Sequence, residues 1–65
     1  MYYNYHAKIK KLILDGHLVD FVFYNKWNNI SNCYVIFFDN HKPMPIRNYK
    51  IEEYLNFFKE NNIEI

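Results

Sequence analysis

The sequence predicts a single α+β domain, residues 1–65, in which two helices flank a small antiparallel sheet. That sheet is a central β-hairpin plus a short edge strand, giving the order α-β-β-(β)-α. Three observations carry this reading. The runs LVDFVFY and CYVIFF are too short, too β-branched and too aromatic for anything but strands. Between them lies an asparagine-rich stretch, NKWNNISN, that reads as their turn. Outside them lie segments whose apolar residues recur at helical spacing.

The first segment, residues 5–14, places Tyr5, Ile9, Leu12 and Ile13 on one apolar stripe. Asn4 can cap its start, and Gly16 can take the left-handed position after its end. A strand reading also exists, in which Tyr3, Tyr5, Ala7 and Ile9 alternate and Asp15-Gly16 turns a hairpin. That alternation fails at Lys11, which would fall on the apolar face. Helix is the expectation.

For the hairpin, a two-residue turn at Asn28-Asn29 is favoured over an eight-residue open loop. It calls for positive φ at both asparagines. The register then pairs Trp27 with Ile30, Phe23 with Tyr34, Phe21 with Ile36 and Val19 with Phe38. Next, DNHKP is a turn and MPIR a short edge strand, since Pro43 and Pro45 cannot donate to a ladder. In the last element Asn48 is expected to cap a helix whose stripe is Ile51, Tyr54, Leu55 and Phe58. Glu52 and Glu53 suit its positive end and Lys59 its negative end. Asn61-Asn62 ends it, and Ile63 can fold back on the core.

The element order resembles that of small double-stranded-RNA-binding-like domains and of the HicA toxin fold built on them. The resemblance is one of order only. The histidine that HicA-type toxins carry on the second strand has no counterpart in NCYVIFF.

A chain of 65 residues is near the lower limit for folding without disulfides or metal, and 51% hydrophobic and 22% aromatic residues compensate. One glycine, two prolines and a net charge of +1 argue against disorder, and that charge gives no strong push toward nucleic acid. Phe, Tyr, Met, Ile, Asn and Lys account for 40 of the 65 residues. AT-rich codons supply such a bias, so a low-GC bacterium, its phage or plasmid, or an AT-rich virus is the expected source. The lone Cys33, the absence of a membrane-length apolar run and the absence of a leader-like start suggest a cytoplasmic protein.

No catalytic signature is present, and a non-enzyme without cofactor or metal is expected. His6, His17, His41 and Cys33 lack metal-ligand spacing, and Glu52 and Glu53 diverge on their helix. The informative anomaly is that both hairpin faces are apolar. Val19, Phe21, Phe23, Tyr34, Ile36 and Phe38 lie on one, and Val22, Tyr24, Cys33, Val35 and Phe37 on the other. Two short helices cover only one face, so the other should meet the N-terminal MYYNY, a second copy or a different protein. The expected function is a small protein–protein interaction module, an accessory or inhibitor protein of a phage or mobile element. It would bind another protein, or itself as a homodimer, through Val22, Tyr24, Val35, Phe37 and the Trp27 turn. The alternative is a small RNA- or DNA-binding domain using Lys8, Lys10, Lys11 and Arg47.

Overall fold

The computed structural model describes residues 4–64. Its elements are α1 (Tyr5–Leu14), β1 (Leu18–Trp27), β2 (Ile30–Phe38), β3 (Met44–Arg47), a 3₁₀ turn (Asn48–Lys50) and α2 (Ile51–Glu60). The strands form one antiparallel sheet in the order β1-β2-β3. The α-β-β-β-α order and the mixed α+β class are those expected from the sequence.

Both helices are set by their ends. The Asn4 side chain accepts the Ala7 amide at 2.9 Å, and Gly16 at φ 87° closes α1. There the His17 amide donates to the Leu12 carbonyl and that of Gly16 to Ile13, satisfying two orphaned carbonyls. Helix α2 ends the same way, with Asn62 at φ 56° in the glycine's place and the Ile63 amide bonded to the Phe58 carbonyl. Ile63 is thereby drawn back against the core. Asn48, expected as the cap of α2, instead opens the 3₁₀ turn, and no side chain caps that turn or the helix.

The core lies between the helices and one sheet face. Ile9, Ile13, Tyr54 and Phe58 pack on Ile36, Phe38, Met44 and Ile46. Phe21 stacks on Tyr34 with ring centroids 4.5 Å apart and meets the Phe58 ring edge-on at 5.1 Å. Leu55, expected on the buried stripe, is 46% exposed instead. Tyr54 and Phe58 define the buried arc of α2, and Phe57 leans toward Lys10 of α1. Leu55 therefore lies on the opposite flank, away from α1.

The register holds at three of the four expected pairs, Trp27–Ile30, Phe23–Tyr34 and Phe21–Ile36. The fourth is corrected. A bulge between Leu18 and Asp20 pairs Leu18, not Val19, with Phe38, and leaves Val19 64% exposed. An extra residue in one strand interrupts the ladder locally and shifts the pairing beyond it. The turn is corrected too: Asn28 has φ 53° and Asn29 does not share the positive sign. This is the φ pattern of a type II′ turn, which needs one left-handed residue rather than two.

Candidate functional site

The face of the sheet turned away from the helices carries the residues singled out for protein binding. Val22 pairs with Val35 and Tyr24 with Cys33. Cys33 and Val35 are both 0% exposed, yet neither belongs to the helix-facing core. Val35, expected among the contact residues, is enclosed in the single chain. Val22, Tyr24, Trp27 and Phe37 are half-buried and keep surface to offer.

The three aromatic rings form one cluster. Trp27 meets Tyr24 edge-on at 5.0 Å and Phe37 edge-on at 6.1 Å, and Tyr24 and Phe37 lie 6.4 Å apart. Phe37 is paired near the base of the hairpin, opposite Asp20, whereas Trp27 is at the tip. Seven residues of flat strand would separate those positions by roughly 23 Å. Ring contact therefore requires the ribbon to curl, bringing its tip back over this face. Asn32, at φ 50° within β2, marks the bend. A left-handed residue interrupts the alternation of a strand, and asparagine tolerates it better than other non-glycine residues. Trp27 is accordingly laid on the sheet rather than projected from the turn. The expectation that MYYNY covers this face falls largely on residues 1–3, which lie outside the described residues.

The basic alternative is not assembled as the sequence suggested. Lys10 is bonded to Glu53 at 2.6 Å and Lys11 to Asp15 at 3.1 Å, so their charges are already answered. Lys8 and Arg47 are exposed and make no ion pair among the described residues. Arg47 instead borders a cleft of about 310 Å³ together with Tyr5, His6, Ile30, Pro45 and Tyr49. None of the three lysines lines it.

Sequence reasoning did not single out Tyr49, two residues from Arg47, or Tyr5 and His6, which no local pattern links to Arg47. Behind the cleft, His6 Nδ1 lies 2.7 Å from the Tyr54 hydroxyl, and the Tyr5 hydroxyl donates to the Pro45 carbonyl at 3.0 Å. Burial, followed by the positive charge of Lys50, lowers the His6 pKa from 6.5; Glu53 pulls the other way. Burial raises the Tyr54 pKa, with Glu53 adding to it. The pair is thus a neutral imidazole against a phenol that keeps its proton. Hydrogen bonds from Lys10 and then Lys50 lower the Glu53 pKa.

Among the described residues no three His, Cys, Asp or Glu side chains are grouped to hold a metal ion. No helix among them is long and apolar enough to cross a membrane. No protein-family model, curated protein or solved structure gives a significant match to this chain.

Proposed function

We propose that this protein is a small protein-binding module that engages its partner through Val22, Tyr24, Trp27 and Phe37. One observation carries the reading. Three aromatic rings are gathered, still partly exposed, on the sheet face that the helices leave open. Rigid aromatics with few rotatable bonds lose little entropy on binding and commonly anchor interfaces. The low net charge agrees with a partner recognised by apolar contact, and an accessory role in a phage or mobile element suits the codon bias and small size.

A second reading is favoured by the cleft. Arg47, which makes no ion pair among the described residues, lies there beside Tyr49, itself 77% exposed. A guanidinium next to an open ring suits a phosphate and a stacked base of single-stranded RNA or DNA.

Capture from a lysate of the source organism, with and without nuclease, separates the two. The matched variants are Trp27→Ala and Arg47→Ala. A captured protein that survives nuclease, is lost with Trp27→Ala and is kept with Arg47→Ala supports the protein-binding reading. Capture abolished by nuclease and by Arg47→Ala alone overturns it in favour of the cleft.

A further inference from the structure

We propose that the open edge of β1 pairs with the same edge of a second copy of this chain, in antiparallel register centred on Phe23. The idea does not depend on what the aromatic face binds.

The two edges of the sheet are built differently. The β3 edge is four residues long and contains Pro45, two features that discourage a further strand. The β1 edge is ten residues long, contains no proline, and has no neighbouring strand among the described residues. Apolar exposure gathers on the same side. Val19 and Phe23 (49% exposed) lie on β1, and Leu55 lies on the flank of α2 away from α1. The Phe21–Phe58 contact sets α2 against β1, so that flank overlooks the open edge.

The charges select a second copy rather than an unrelated strand. β1 carries only two, Asp20 and Lys26, each three residues from Phe23. A two-fold axis at Phe23 sets each Asp20 opposite Lys26 of the other copy, twice by symmetry. It also sets Val22 opposite Tyr24 of the second copy and brings the two Phe23 rings together. Such an arrangement is isologous and closes on itself. Neither charge has an ionic partner among the described residues. Among the described residues the Asp20 carboxylate accepts the Phe21 amide, at 2.8 Å, and makes no ion pair, and Lys26 is exposed and makes none either. The pair would form a six-stranded sheet with the two aromatic faces side by side.

Sedimentation equilibrium over a concentration series tests the register by charge exchange, with circular dichroism as a check on folding. The wild type is expected to dimerise. Asp20→Lys or Lys26→Asp alone sets like charges opposite at two places and should weaken the dimer at least about tenfold. The double exchange should restore it. Amide exchange on the wild type gives a readout without substitution: protection at Val22, Phe23 and Tyr24 should rise with concentration. A wild type that stays monomeric with concentration-independent exchange overturns the proposal. So does a dimer indifferent to the single reversals, or single losses that the double variant does not rescue. If the two charges serve only to keep the edge solvated, the monomeric result is the one that appears.

Discussion

His6 Nδ1 sits 2.7 Å from the hydroxyl of Tyr54, joining the first turn of α1 to the core of α2 across 48 residues of chain. Tyr54 is fully enclosed, and its ring also lies 5.6 Å from the Lys10 ammonium. Lys10 reaches on to Glu53 at 2.6 Å, so one polar seam runs along the helix–helix contact. Tyr54→Phe keeps the ring and removes the hydroxyl that is hydrogen-bonded to His6. Loss of about 1 kcal/mol is expected, because His6 is only half-buried and water can replace the hydroxyl in part. Urea denaturation measures it. A variant as stable as the wild type would mean that the seam contributes nothing.

The same seam sets the acid response. The His6 pKa is lower in the folded chain than its ordinary 6.5, so the unfolded chain takes up the proton more readily. Its stabilising contribution is complete above about pH 6.5 and is lost as pH falls through the folded value. Glu53, lowered from 4.5, adds a second loss at more acid pH, again with stability present above the ordinary value. Equilibrium unfolding against pH should show the upper step in the wild type and not in His6→Asn. Equal slopes in the two proteins between pH 6.5 and 5 would refute the assignment.

Phe58 is the best single measure of the core. Its side chain is almost fully buried and meets Phe21 edge-on. Truncation to alanine should cost roughly 3–5 kcal/mol, which can exceed half the stability of so small a domain. Thermal melting decides. A change of only a degree or two would show that α2 does not pack as described.

At the turn, only Asn28 needs the left-handed conformation. Asn28→Gly should hold or raise stability, because glycine adopts positive φ without strain and is favoured at the first central position of a type II′ turn. Asn29→Gly gains nothing there and should be neutral or slightly destabilising through added freedom of the unfolded chain. Reversal of that order in paired denaturation curves would restore the two-positive turn.

Cys33 is 0% exposed, with its thiol 3.9 Å from the Ile30 carbonyl. Labelling by a thiol reagent should therefore follow opening of the hairpin rather than the reagent's intrinsic rate. Prompt, stoichiometric labelling of the native protein would show that the curled face is open.

Much of this architecture is determined by sequence, because it rests on interactions between near neighbours. Periodicity placed α1 and α2, β-branched and aromatic runs placed β1 and β2, and proline confined MPIR to an edge. Asn4 and Gly16 announced the ends of α1 because caps depend on only a few consecutive residues. The chain has a single glycine, and asparagine takes the left-handed positions at 28, 32 and 62, a substitution visible only in outline beforehand. What tertiary structure alone decided are the long-range outcomes. A bulge at Val19 moved the register by one residue. The bend marked by Asn32 turned Trp27 back onto Tyr24 and Phe37, a contact between the tip and the base of the hairpin that no local pattern encodes. The approach of α1 to the β3–α2 junction brought His6 to Tyr54 and both Tyr5 and His6 to the cleft beside Arg47. The lysines of α1 were legible as residues, but their neutralisation was not for Lys10, since Glu53 is 43 positions away. Side chains brought together by packing are chosen by the whole fold, and a single sequence records them only as separate residues.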